Sequence, residues 1–228
     1  MGLLLFDLDG TLYSSREILP AAYRTGIKQF NTDYNESLNV PSDPVIFNQV
    51  GKPASEIYEN LFPELTSEQV DALQERVFSA LLEKIQEGSG RLYSGVKPVL
   101  EQLQDRFQLA LVTNAQTAYM NAVLETHDLE AIFGRTLCND DAPNGLKSEL
   151  VEMMLESFRI EPTASRMIGD RHSDLRAATE HNVPFIHTTY GYGDRENFTD
   201  HPQIDSLKEL LDGKLLPTSN LTGADRES

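Results

Sequence analysis

The sequence predicts an α/β protein: a parallel sheet with helices on both faces, carrying an all-helical insert after its first strand. Three observations lead there. From residue 96 onward short apolar runs alternate with helical periodicities, the pattern of a parallel sheet wrapped by helices. The run Leu3–Phe6 reads as a strand buried on both faces, and the eighty residues after it hold helical spacing with no strand signal. At 228 residues the chain can bury one good core and a second small one.

The first strand ends in Asp7-Leu8-Asp9-Gly10-Thr11, two carboxylates at alternate positions directly after the most hydrophobic segment. In the insert, Pro20–Phe30 reads as a helix because Ala22, Ile27 and Phe30 share one face. Asp43–Val50 and Pro53–Phe62 follow, the second opened by Pro53 in a first turn where a missing N–H costs nothing. Thr66 with Gln69 makes a capping box, and behind it Val70, Leu73, Val77, Leu81 and Ile85 repeat at helical intervals to about Glu87. Ser14-Ser15 on one side and Gly88, Gly90 and Gly95 on the other mark the edges, permissive residues suited to a hinged lid. Alternation then begins: helix Val96–Arg106, strand Leu109–Thr113, helix Gln116–His127, strand Arg135–Cys138, helix Lys147–Phe158, strand Ser165–Gly169, helix Ser173–His181, strand Pro184–His187, helix Leu207–Leu211. The expected organisation is a core of 1–13 and 94–215, a helical insert of 14–93, and a frayed tail from 216 to 228 with little apolar content.

Composition narrows the function classes. Thirty-six acidic residues against 19 basic give a net charge of −17 with no lysine or arginine cluster, which argues against nucleic acid as partner. No apolar stretch approaches the roughly 20 residues of a membrane helix, and the apolar start lacks the length and basic flank of a secretory signal. A cytoplasmic protein is expected, and the lone Cys138 agrees with a reducing compartment. The N-x-[ST] matches at Asn35, Asn197 and Asn220 carry no weight without such a signal. Monomer and dimer both remain open.

In parallel sheets of this type ligands gather at the carboxyl ends of the strands. Asp7 and Asp9 end the first strand, Thr113-Asn114 end the second, and Gly169-Asp170 end another with Asp174 a helical turn later. Lys147 begins the helix before that strand. Three carboxylates at neighbouring strand ends repel one another unless a cation sits among them. Oxygen donors without histidine or cysteine suit Mg²⁺, which keeps waters and shares substrate phosphate. Asp7 could then stay ionised as a nucleophile while Asp9 handles protons, and phosphoryl transfer would proceed through an aspartyl-phosphate. The phosphoryl charge would meet Mg²⁺, Lys147, the Thr113 hydroxyl and backbone N–H groups of the loop Leu8–Thr11, Gly10 and Thr11 among them. Taken singly, these features also fit a turn, two helix caps and a solvated lysine. Their order, each at a strand end, favours one site.

These residues carry a resemblance to the haloacid dehalogenase (HAD) superfamily of phosphohydrolases. Its motifs are matched by FDLDGTL at Phe6–Leu12, LVTNA at Leu111–Ala115, Lys147, and IGDRHSD at Ile168–Asp174. The resemblance implies a Rossmann-like core and identifies the insert with the small helical cap that closes over phosphate. It further implies Asp7 as nucleophile, Asp9 as general acid/base, phosphate contacts from Thr113, Asn114 and Lys147, and Mg²⁺ held by Asp7, the Asp9 carbonyl and Asp170, with Asp174 in the outer shell. One departure is that Lys147 is followed by Ser148, where many relatives have proline. An acid at the Asp9 position implies phosphate esters, since dehalogenating members lack it. The stretch ending in Tyr190-Gly191-Tyr192-Gly193 resembles phosphoglycolate phosphatases and their close relatives, which makes 2-phosphoglycolate the leading small anionic substrate. Lys52, in a loop between two insert helices, could read a second anionic group or simply be solvated. A sugar phosphomutase with the same core residues, or an inactive binding relative, remain alternatives.

Overall fold

A computed structural model of the chain describes residues 1–52, 54–193 and 195–217. Six parallel strands form the main sheet: β1 (Gly2–Phe6), β4 (Phe107–Val112), β5 (Arg135–Leu137), β6 (Ser165–Gly169), β7 (Phe185–Thr188) and β8 (Gln203–Ile204), ordered β5-β4-β1-β6-β7-β8. β1 is central, with Phe6 level with Leu111 on one side and Ile168 on the other. The alternate side chains of β1 explain its unbroken apolar run. Leu4 and Phe6 face a core built with α5 (Val96–Gln104) and α6 (Thr117–Thr126), whereas Leu3 and Leu5 face α7 (Lys147–Phe158) and α8 (His172–Glu180). Both faces of β1 are therefore dry, as a doubly covered parallel sheet requires.

Between β2 (Tyr13–Ser14) and β3 (Arg91–Leu92), which pair antiparallel with Tyr13 opposite Leu92, the chain is helical. The helices are α1 (Leu19–Tyr34), α2 (Asp43–Phe47), α3 (Ala54–Leu61) and α4 (Ser67–Gln86), the last opened by the capping box of Thr66 and Gln69. α1 and α4 pack closely because Gly26 has no side chain: a Cβ there would lie 2.6 Å from the Val77 backbone nitrogen. Their shared apolar stripe, including Ile27, Phe30, Leu73 and Val77, is continuous with the core on the α5–α6 side of the sheet.

Several boundaries differ from the sequence expectation. The Asp43–Val50 helix stops at Phe47, because the chain turns at Gly51 (φ +87°), a left-handed conformation that suits glycine. The expected helix start at Pro53 lies outside the described residues. Leu207–Asp212 is a 3₁₀ helix rather than an α-helix, and β2, β3 and β8 were not expected. Leu216, placed by the sequence in a frayed tail, is buried, and the Leu215 carbonyl accepts from Arg166 at 2.8 Å. Residues 218–228, including the Asn220 match, are outside the described part. Among the described residues no helix is long and apolar enough to cross a membrane.

Candidate active site

Asp7 continues β1 past its last residue, its N–H donating to the Ile168 carbonyl at 2.9 Å. Its Oδ1 accepts from Lys147 Nζ at 2.5 Å, and the same ammonium donates to Asp174 Oδ1 at 2.5 Å. All three side chains are buried, so Lys147 is no solvated surface residue. The other Asp174 oxygen accepts from the backbone N–H groups of Asp170 (3.1 Å) and Arg171 (2.9 Å) at the start of α8. Asp174 is thus a helix cap and an anchor for Lys147 at once.

Asp170 is held from the far side by the Tyr190–Gly193 stretch. One carboxylate oxygen accepts from the N–H of Tyr192 at 2.6 Å and of Gly193 at 3.3 Å. A Cβ on Gly191 would strike the Asp170 side chain, and one on Gly193 its carbonyl oxygen. Gly10 (φ +86°) meets the same carboxylate, so no side chain could replace its hydrogen. The remaining oxygen, Asp170 Oδ1, is buried and has no hydrogen-bond partner among the described residues. A buried carboxylate oxygen left unpaired is costly. Asp170 belongs to a cluster in which Asp7, Asp170 and Asp174 offer oxygens all within 4.8 Å of one another. The donors are oxygen only, and these residues include a buried unpaired oxygen, so they fit a hard divalent cation.

The electrostatics agree. Burial and the Asp174 carboxylate hold Asp7 well above the usual carboxylate range, and the Lys147 ammonium only partly offsets them. Burial, then Asp174, pushes Asp170 up to about 7. Burial alone would lower the Lys147 amine, but Asp174 and Asp7 outweigh it and keep the ammonium charged. One ammonium against three acids leaves uncompensated negative charge.

Asp9 is separate from this cluster. Its Oδ1 accepts from the Tyr119 hydroxyl at 2.7 Å and the Ser15 hydroxyl at 3.1 Å. Burial raises its pKa to about 6, with the Tyr119 and Ser15 hydrogen bonds pulling down. Ser15 also pairs with the Tyr192 hydroxyl at 2.9 Å, so the expected hinge at Ser14-Ser15 is tied into the site.

A cleft of about 150 Å³ opens above Asp7 and Asp9, bordered by Thr113, Asn114 and Lys52. The Thr113 oxygen accepts from the Ala115 N–H at 3.1 Å, leaving its own proton for a ligand. Asn114 donates instead to the Gly51 carbonyl at 2.7 Å, holding the insert's loop against the sheet. Lys52 reaches the cleft wall, where its amine donates to Gln49 at 3.1 Å and stands 3.4 Å from Glu56. Gly10 and Thr11 sit differently from the other expected phosphate contacts. Their N–H groups turn inward, to Tyr13 (2.9 Å) and Leu8 (3.3 Å), so the loop spends them on its own shape. Thr11 is fully buried and does not border the cleft.

The sequence did not single out Tyr119, Ser15 or Arg171. Arg171 donates to the Phe47 carbonyl at 2.8 Å, while Arg16 stacks over Tyr192 (4.5 Å) and Phe47 (5.5 Å) and donates to Gly191 at 2.7 Å. These contacts fasten the insert to the core beside the cleft.

With this geometry in place, the comparisons with known proteins become informative. A family profile described as haloacid dehalogenase-like hydrolase matches residues 4–188, most of the chain. The chain belongs to that family. Similar proteins within it include a phosphoglycolate phosphatase from Vibrio vulnificus, 30% identical over 219 residues covering 92% of this chain and 94% of the relative. A phosphoglycolate phosphatase from Mannheimia succiniciproducens is 28% identical over 92% of this chain and 96% of its own. Among solved structures, a haloacid dehalogenase-like protein from Streptococcus pneumoniae superposes with a TM-score of 0.79 at 20% identity, covering 93% and 98% of the two chains. A predicted phosphoglycolate phosphatase from Haemophilus somnus gives 0.81 at 22%, over 93% and 97%. The structural matches carry the fold. The profile and the relatives make this HAD-family chain a phosphoric monoester hydrolase.

Proposed function

We propose that the enzyme is a Mg²⁺-dependent phosphatase that hydrolyses a small, anionic phosphorylated metabolite through an aspartyl-phosphate on Asp7. The observation that carries this reading is the buried Lys147 ammonium 2.5 Å from Asp7 Oδ1, which fixes a carboxylate at the cleft floor with one oxygen still available. That oxygen attacks phosphorus and the ester oxygen leaves. Asp9, raised to about 6, delivers the proton the leaving alcohol needs and then takes one from the water that opens the acyl-phosphate. Tyr119 and Ser15 orient the Asp9 carboxylate for both transfers. The Thr113 proton and the Lys147 ammonium meet phosphoryl charge. Asp7 and Asp170 would hold Mg²⁺, with the Asp9 carbonyl beside them and Asp174 steadying Lys147 behind. The ion supplies neutralisation of the phosphoryl oxygens.

Residues 14–93 act in this reading as a cap whose loop Gln49–Lys52 closes the cleft. The relatives' activity makes 2-phosphoglycolate the reference substrate for assay, with Lys52 a cation on the cleft border. The test is Asp7→Asn. Phosphate release from p-nitrophenyl phosphate with Mg²⁺ should vanish, and acid-quench mass spectrometry should find phosphorylated Asp7 in the wild type only. Turnover retained in the variant ends the nucleophile assignment.

A further inference from the structure

The cleft has two chemically different halves. Its floor is polar: Asp7, Asp9, Ser15, Thr113 and Asn114. Away from the floor the wall is apolar, supplied by Leu19, Ile46, Val50, Val77, Phe78 and Leu81. Gln74 and Gln116 add uncharged amides to this wall, and its other polar side chains are engaged. Tyr23 and Tyr58 hydrogen-bond to each other, their rings stacked with centroids 6.2 Å apart. The Lys52 amine is shared between Gln49 and the Glu56 carboxylate, so the charge that a substrate carboxylate would need is already matched. No arginine borders the cleft among the described residues.

We infer that the leaving group is an uncharged, largely apolar alcohol seated between α1 and α4, rather than a hydroxy acid. This rests on the phosphatase reading above and adds the substrate class to it. One physical effect points this way: a carboxylate desolvated against this wall would have to draw Lys52 away from Glu56 before gaining a partner, whereas an apolar group gains by leaving water.

The test compares kcat/KM for benzyl phosphate and 2-phosphoglycolate, with Mg²⁺ present, in the wild type and in Phe78→Lys. Phe78 stands on the apolar wall, and a lysine there adds an unmatched cation. The wild type should favour benzyl phosphate by ~10-fold or more, the discrimination an apolar pocket gives per group of this kind. Phe78→Lys should move the ratio toward 2-phosphoglycolate by a similar factor. Both substrates are measured in the same variant, so a loss of folded enzyme cancels from the ratio. A wild-type preference for 2-phosphoglycolate, or a ratio that Phe78→Lys leaves unchanged, overturns the inference while leaving the phosphatase standing. Failure to release phosphate from p-nitrophenyl phosphate as well removes the phosphatase reading, and the inference with it.

Discussion

Replacing Lys147 by methionine keeps the length of the side chain and deletes the one cation that, among the described residues, is bonded to Asp7 and Asp174. Both contacts are 2.5 Å, and the side chains are 4%, 6% and 0% exposed, so water cannot take over. Breaking a buried pair by removing one partner typically costs ~3–5 kcal/mol, because the other charge is left uncompensated. For a chain of this size each kcal/mol lowers Tm by ~2–4 °C, so the drop should be roughly 6–20 °C. Lys97→Met is the control. Its pair with Asp128 is exposed (35% and 86%) and should cost no more than ~1 kcal/mol. Thermal melts in EDTA measure both. Added Mg²⁺ should restore part of the Lys147→Met loss, by ~2.7 kcal/mol at one hundred times its Kd. A Lys147→Met Tm within 2 °C of wild type in EDTA would refute the claim that these acids depend on the lysine; 2 °C is roughly the effect of 1 kcal/mol or less.

Other outcomes follow from the same geometry. Asp9→Asn should lower kcat by ~100 to 10,000-fold on alkyl phosphates, the usual cost of losing a general acid; near-normal rates across pH would give Asp9 another role. Gly193→Ala should raise the Mg²⁺ concentration needed for half-maximal activity, because a Cβ there collides with the Asp170 carbonyl and displaces the N–H groups that hold its carboxylate; an unchanged Mg²⁺ titration counts against that cradle. Burial, with Asp174, raises Asp170 from 3.8 in the free residue to about 7 when folded, so the folded state binds a proton that the unfolded state has released. Its contribution to stability is therefore whole below pH ~4 and lost as pH rises to ~7. In EDTA the Tm difference between pH 4 and pH 8 should be larger for wild type than for Asp170→Asn, by up to ~10 °C; equal differences would place the titration elsewhere.

What could be read from the sequence divides along a physical line. Asp7, Asp170 and Thr113 were legible because each directly follows a buried strand, and parallel pairing fixes where strand ends lie. Lys147 followed from its position at the start of a helix between two such strands. Tyr119 was not legible. It sits in the first turn of α6 between Ala118 and Met120, and nothing in its own segment says that its hydroxyl reaches Asp9, 110 positions away in sequence. Ser15 read as a flexible edge for the same reason. β2, β3 and β8 are two residues each, too short for a period-two pattern. The end of α2 depends on Gly51, whose left-handed turn places Gln49, Val50 and Lys52 on the cleft, whereas the sequence pattern alone runs the helix through Gln49 and Val50.

The charge arrangement also orders events at the site. Asp7, Asp170 and Asp174 against Lys147 leave an excess of two negative charges in a buried volume when all are ionised. The chain around them carries −17 overall. A phosphate ester approaching that field is repelled, so the cluster must first be neutralised, and one divalent cation suffices for it. The raised pKa values of Asp7 and Asp170 express the same deficit: without a metal ion, protons fill the cation's place. In the proposed mechanism, metal binding near neutral pH would expel protons, and the carboxylate freed by that exchange would be the proposed nucleophile, Asp7. Ionisation of Asp7 and neutralisation of the site would then be a single event, one way for an acidic protein to admit an anionic ester at a floor made of carboxylates.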